Sequence, residues 1–103
     1  MMKDRIPATV SQWQGVKAGK YLGQTAFFVS KTPFLIVRED SIALANLSPR
    51  DEETAVRKHG GGELVLKGKR REGWIEMSVS SVNEYRRIEF LVQISYQSAH
   101  LSG

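Results

Sequence analysis

Residues 81–96, SVNEYRRIEFLVQISY, decide the fold class of this chain. From residue 87 onward, large apolar residues occupy every second position, as in a strand that buries one face. That face carries Ile88, Phe90, Val92, Ile94 and Tyr96. β-Branched and aromatic side chains of this kind pack well on a pleated sheet. The alternation therefore predicts a strand over 88–96 with Phe90 in the core, and it leaves 97–103 as a polar tail.

The same segment also contains the pattern of a helix start. Ser81 and Glu84 have the Ser-x-x-Glu spacing of a capping box, in which two side chains bind the free N–H groups of the first turn. Apolar residues then recur at helical spacing, at Val82, Tyr85, Ile88 and Val92. This stripe leaves out Phe90 and Ile94. We therefore favour the strand and keep the helix as the alternative.

Upstream of this segment, short apolar runs bounded by turn residues predict further strands. The predicted strands cover 9–16, 24–30, 34–38, 42–47, 63–69 and 74–80. The run FLIVR at 34–38 is almost continuously apolar, which indicates a strand covered on both faces. Residues 70–73 separate the last two strands by the length of a hairpin loop. These segments predict a mainly β fold, a small antiparallel barrel or sandwich of six or seven strands.

One short helix is predicted over 49–58. Ser48 can cap its start, Pro49 suits the first helical position, and the acidic residues that follow favour the positive end of the helix dipole. Cations come at the other end, and Gly60 is placed to terminate the helix. Few apolar residues lie within it. We therefore expect a peripheral helix that covers a sheet edge or a barrel end.

Length and charge limit the classes of protein that the chain can form. A chain of 103 residues has the size of one domain, because a single core organises roughly 100–150 residues. We expect one β-rich domain over 1–103. The 15 Lys and Arg residues against 11 Asp and Glu residues give a net charge of +4, which favours anionic partners.

Other functional classes are excluded or not favoured. The chain contains no cysteine, which excludes disulfides, iron–sulfur clusters, Cys-ligated zinc and thiol catalysis. No residue pattern predicts another metal site or a cofactor. The N-terminal residues lack the apolar stretch of a secretory signal, and no apolar run approaches the roughly 20 residues that cross a membrane. We therefore expect a cytoplasmic protein without a membrane partner.

The strongest candidate site is the predicted hairpin at 67–74. Cations close to an aromatic ring can replace the counterions of a phosphate backbone and stack on a base. The residues that fit these roles are Lys67, Lys69, Arg70, Arg71 and Trp74. Arg57 and Lys58 reinforce this basic surface if the helix ends beside the hairpin. The leading hypothesis is a non-catalytic nucleic-acid-binding or regulatory accessory protein, with DNA and RNA both open. Alternatively, the cations protect a sheet edge and Trp74 belongs to the core.

Two further hypotheses come from other residues. The adjacent Phe27 and Phe28 must point to opposite faces of a strand, so one of them lies under a second layer or on a contact surface. This observation favours a protein-interaction or assembly subunit that forms an oligomer through an apolar sheet edge. The third hypothesis is a small metal-free ribonuclease that combines His59 with nearby cations and a carboxylate such as Glu76. No spacing singles out a catalytic group, so an enzyme is not favoured.

Overall fold

A computed structural model describes residues 2–102 and the side chains of residues 5–101. Within this range the elements are α1 (Met2–Val10), β1 (Val16–Tyr21), β2 (Gln24–Val29), β3 (Thr32–Val37), β4 (Ser41–Ala45), α2 (Pro49–His59), β5 (Gly62–Leu66), β6 (Lys69–Ser78) and α3 (Val82–Ser102).

The six strands form one antiparallel sheet in the order β1-β2-β3-β4-β6-β5. This sheet confirms the prediction of a small antiparallel β fold with six strands. The strands form a single sheet that is not closed, so neither the predicted barrel nor the predicted sandwich is confirmed, and three helices accompany the sheet instead of one. The helices α1 and α3 pack on one face, where α3 contacts β3, β2 and β4.

The strand predicted over 9–16 is wrong, because this stretch contains the end of α1 and the turns that follow it. Ile6 and Val10 are four residues apart and both buried, so they form the inward face of a helix. The side chain of Trp13 continues this contact in the loop, with its ring 5.1 Å from that of Tyr96 in α3. Burial of Ile6 and Val10 in the core beneath the helices therefore stabilises α1.

The strand predicted over 88–96 is also wrong, because residues 82–102 form α3. The capping box is present in a shifted form: the backbone N–H of Glu84 donates to Ser81 Oγ at 3.2 Å, and Glu84 Oε1 accepts from the backbone N–H of Ser80, one residue before the cap, at 2.8 Å. The Ser80 hydroxyl also donates to this carboxylate, and its hydrogen bond holds the pKa of Glu84 below the ordinary value. Residues 97–102 continue the helix instead of forming a tail, and Gly103 lies outside the described residues.

The buried face of α3 explains why the helix replaces the predicted strand. It consists of Tyr85, Ile88, Leu91, Val92, Ser95 and Ala99. Leu91 and Ser95 would lie on the polar face of a strand, whereas helical spacing places them against the sheet. Phe90 falls outside this stripe and is 45% exposed. The prediction that Phe90 is a core residue is therefore wrong.

The helix predicted over 49–58 is confirmed as α2. Ser48 Oγ accepts from the Asp51 backbone N–H at 3.1 Å, and Pro49 occupies the first turn. Gly60 ends the helix in the left-handed conformation, with φ at 67°. The helix continues one residue further than predicted, to His59.

The second face of the sheet is covered by the sheet itself. One row of register partners runs across four strands through Gly19, Ala26, Ile36 and Ala43. Three of these four side chains are small, which leaves room for the sheet to curl over this face. The curl brings Tyr21 of β1 against Trp74 of β6, with the ring centroids 5.4 Å apart.

Phe27 and Phe28 occupy opposite faces, as the strand period predicts. Phe27 belongs to the core beneath the helices, and Phe28 packs against the second cluster. That cluster includes Leu64 and Leu66 from β5, so the hairpin β5–β6 helps to cover the curled face.

Candidate functional site

The β5–β6 hairpin extends past the end of β4. The last register pair between β4 and β6 is Ala45 with Trp74, while β6 begins at Lys69. Lys67 and Gly68 form the turn and have φ values of 53° and 75°. Positive φ at both central positions is typical of the two-residue turns that match strand twist. The predicted four-residue loop at 70–73 is therefore wrong, because these residues belong to β6.

Two of the four predicted cations on this hairpin have partners within it. Arg70 Nε lies 3.3 Å from Glu63 Oε1 across the two strands. Arg71 is half-buried and donates from Nε and Nη2 to the Leu66 carbonyl oxygen, at 3.3 and 2.9 Å. Arg71 therefore holds the turn of the hairpin together.

The other two cations, Lys67 and Lys69, are exposed at the tip. Neither is paired with a carboxylate in the part of the chain that the structure describes. These two ammonium groups are therefore available to an external anion.

Trp74 is 7% exposed and packs in the second cluster, so it offers no free ring face for a base. This burial agrees with the alternative expectation that Trp74 belongs to the core and does not favour the base-stacking role. The indole is covered because the sheet curls and brings Tyr21 over it. A curl of this kind depends on strand order, which the local pattern around residue 74 does not reveal.

Arg57 and Lys58 do not join the hairpin cations. They lie at the end of α2, immediately before the start of β5, and Arg57 forms an i,i+4 ion pair with Glu53 at 3.4 Å. The turn at Lys67 lies at the other end of β5. A strand of this length spans about 16 Å at the usual rise. The two basic groups are therefore separate surfaces.

β5 is an edge strand, and among residues 2–102 its neighbour is β6 alone. Leu64 and Leu66 point to the curled face and are buried, whereas Val65 points to the helix-bearing side and is 51% exposed. An edge of this kind presents N–H and C=O groups along its open side. In the register, Val65 shares its face with Arg70, while Lys69 lies opposite Leu66. The sequence does not indicate that β5 is an edge.

The opposite edge of the sheet, β1, is better protected against pairing. It carries two exposed lysines, Lys17 and Lys20, and Gly19 at its centre. Charges on an edge strand and glycine within it both disfavour the addition of another strand. On β5 the single charge is Glu63, which already pairs with Arg70. β5 is therefore the more receptive edge.

Two exposed apolar side chains lie on the same side of the sheet as Val65. Val56 of α2 is 46% exposed and Phe90 of α3 is 45% exposed. The His59 ring lies edge-on to Phe90, with centroids 5.8 Å apart. Val56 and His59 are three residues apart and share one side of α2. We name Val56, His59 and Phe90 the α2–α3 patch.

Gly61 fixes the position of α2 relative to this edge. Its backbone N–H donates to the Ala55 carbonyl oxygen at 2.9 Å. A Cβ at this position would lie 2.7 Å from Ile75 Cγ2 and 3.1 Å from the Ala55 oxygen. The close approach of the chain to β6 therefore requires glycine here.

The groups of the ribonuclease hypothesis do not meet. His59 lies on the helix-bearing side, beside Phe90. Glu76 is the register partner of Ala43 and faces the other side, where it accepts from Arg38 Nη1 at 2.9 Å and from Ser41 Oγ at 2.5 Å. The described residues contain no cluster of three His, Asp or Glu side chains that could hold a metal ion.

Comparisons with protein-family models, curated proteins and solved structures give no match to this chain. Among the described residues, no helix is both long and apolar enough to cross a membrane.

Proposed function

We propose that this protein is an interaction module that binds a strand of a protein partner along the open edge of β5. The observation that carries the proposal is an edge strand with a half-exposed valine, Val65, and a single charge that is already paired. Strand addition gives affinity through main-chain hydrogen bonds, and side chains at alternate positions give specificity. The predicted cytoplasmic location stays a prediction.

The covered Trp74 and the engaged Arg71 favour this proposal over the hypothesis of a nucleic-acid reader. The predicted base-stacking ring is in the core, and one of the four cations holds the Leu66 carbonyl. The assembly hypothesis, in contrast, needs an apolar sheet edge, which β5 supplies.

Nucleic-acid binding is the second candidate function, and one specific observation favours it. Lys67 and Lys69 are exposed on a hairpin that extends past β4. Lys31 is exposed in the β2–β3 turn at the same end of the sheet, and sequence patterns did not single it out. A tip of this kind can follow a phosphate backbone without base stacking.

A peptide titration monitored by NMR tests the proposed function. The probe is a synthetic peptide of alternating Val and Thr, added to dilute isotope-labelled protein. We expect chemical-shift changes over Gly62–Leu66 and none over Val16–Tyr21. The control is the same peptide with proline at every second position, which lacks the N–H groups that strand pairing needs.

The proposal is abandoned if β5 does not respond, if β1 responds instead, or if the proline peptide acts equally well. Val65→Lys is the matched variant, because an edge lysine opposes pairing. Because Val65 is exposed, its replacement by lysine should leave the fold intact. This variant should lose the response of β5 to the peptide.

A further inference from the structure

We infer that the strand bound at β5 is β5 of a second copy of this chain, in an antiparallel pair centred on Val65. The inference rests on the proposed function and names its partner. The resulting homodimer joins two six-stranded sheets edge to edge about a two-fold axis perpendicular to them.

The turn of the hairpin determines which groups face the open edge. Leu66 and Lys69 close the two-residue turn, so their main-chain groups point toward each other. The next pair, Val65 with Arg70, is then a pair without mutual hydrogen bonds. The N–H and C=O of Val65 therefore point outward, where the same groups of a second copy can meet them.

A two-fold axis through Val65 places three kinds of residue opposite suitable partners. Val65 faces Val65 of the second copy and covers its exposed surface. Glu63, which also pairs with Arg70 of its own chain, comes beside the turn residue Lys67 of the second copy, and this occurs twice. Lys67 has no carboxylate partner among the residues described, so this pairing gives it one.

Other registers are less complementary. Centring the pair on Leu64 sets Glu63 opposite Val65 and leaves Lys67 without a partner. Centring it on Glu63 sets two carboxylates directly opposite each other, which is destabilising in a sheet. A shift by one residue would set buried Leu64 against exposed Val65, which the alternation of faces does not allow.

The same two-fold axis places the helix-covered faces of both copies on one face of the joined sheet. The α2–α3 patches of the two copies then lie on that side, where we expect Val56 of α2, which packs on β6 next to β5, to add apolar area to the contact. This addition matters because a stable interface buries about 800 Å² on each partner. A pair of five-residue strands alone is smaller than that.

Sedimentation of the intact protein tests the inference directly. We expect a species of twice the chain mass of 11.6 kDa that dissociates on dilution. Val65→Lys should weaken self-association at least tenfold, because it sets two ammonium groups across the axis. Ala18→Lys is the matched control, since Ala18 is exposed on the other edge strand, and it should leave the dimer unchanged.

Cysteine substitution tests the register, because the chain has no cysteine of its own. In the proposed pair, Val65→Cys brings two Cα atoms to about 5.5 Å, within disulfide range. Glu63→Cys should not cross-link, because the two cysteines at position 63 would be offset by four residues along the paired strands. Reversing the charges in Glu63→Lys/Lys67→Glu should restore the dimer that Glu63→Lys alone weakens.

Three results would overturn the inference: a monomer at all concentrations, a Val65→Lys protein that dimerises normally, or cross-linking at residue 63 in place of residue 65. If the wild-type protein is monomeric and still binds the Val-Thr peptide at β5, the second copy is the wrong partner and the proposed function stands. If neither the peptide nor a second copy binds, both proposals fail.

Discussion

The hydroxyl of Ser95 in α3 lies 2.7 Å from the carbonyl oxygen of Phe34 and 2.5 Å from that of Ala45. The side chain is completely buried, and it joins the helix to β3 and β4 at once. A hydroxyl has one proton, so it donates to one of the two carbonyls at a time. Ser95 thereby fixes the rotation of α3 about its axis and determines which residues of the helix face the solvent.

Ser95→Ala should destabilise the protein by about 1–3 kcal/mol, because it leaves buried carbonyl oxygens without their donor. The measurement is the free energy of unfolding from a urea titration. Gln97→Ala, at an exposed position of the same helix, is the control and should be nearly neutral. Equal stability of the Ser95 variant and the wild type would contradict this role of the hydroxyl.

Phe90→Ala should cost much less than Phe27→Ala. Phe27 is 1% exposed in the helix-side core, whereas Phe90 is 45% exposed. Truncating a buried phenylalanine costs about 3–5 kcal/mol through lost transfer energy and a cavity. Urea titrations of both variants give the comparison. A Phe90 variant as unstable as the Phe27 variant would mean that α3 presents a different face to the sheet.

The contrast between Phe90 and Ser95 shows what the sequence could and could not predict. Strands β2 to β6 and helix α2 follow from local signals: alternation, turn residues, and a cap at each end of the helix. Residues 81–96 contain both periods, and the run of large apolar residues favours a strand over the helix that the capping box at Ser81 indicates. The contacts that favour the helix are with β3 and β4, at least fifty residues earlier in the chain. Local patterns do not contain them.

The candidate site was predictable to a similar extent. Alternation and turn residues place the cations at 67–71 on a hairpin, and Lys67 and Lys69 are exposed there. The burial of Trp74 depends on the curl of the whole sheet. The open edge at Val65 depends on strand order. Both are properties of the assembled sheet, so no local sequence pattern predicted them.

The capping box of α3 should make stability depend on pH. Hydrogen bonds from Ser80 favour the ionised carboxylate of Glu84 and lower its pKa from the ordinary value of 4.5. A pKa lowered by folding contributes stability above the pKa of the unfolded state, and this contribution is lost as the pH falls through the folded value. Glu84→Gln should therefore be less stable than wild type at neutral pH.

The stability difference between wild type and Glu84→Gln should shrink when the pH falls below 4.5. Thermal unfolding of both proteins across this range gives the measurement. Glu72→Gln is the control, because Glu72 is an exposed carboxylate outside the box, and its difference from wild type should vary less with pH. A Glu84 difference that is constant from neutral to acidic pH would exclude the carboxylate as the source of helix stabilisation.

The second candidate function predicts a weak dependence of nucleic-acid binding on salt. If Lys67 and Lys69 are the cations that contact phosphates, the slope of log affinity against log salt for a single strand should be about −1.4, from roughly 0.7 per contact. This corresponds to about a sevenfold loss of affinity between 50 and 200 mM salt. Lys67→Glu/Lys69→Glu should abolish both the binding and its salt dependence. It should leave folding nearly intact, because both side chains are exposed.

The matched control for this experiment is Lys17→Glu/Lys20→Glu, which makes the same charge change on the exposed β1 edge. Titrations of single-stranded DNA and RNA at several salt concentrations compare the three proteins. Arg71 is unsuitable as a test residue, because its guanidinium holds the Leu66 carbonyl and its loss would disturb the hairpin itself. If the β1 variant loses affinity as much as the hairpin variant, binding follows net charge alone. The hairpin tip is then not a nucleic-acid site, and the role that remains proposed for Lys67 is the ion pair with Glu63 of the second copy.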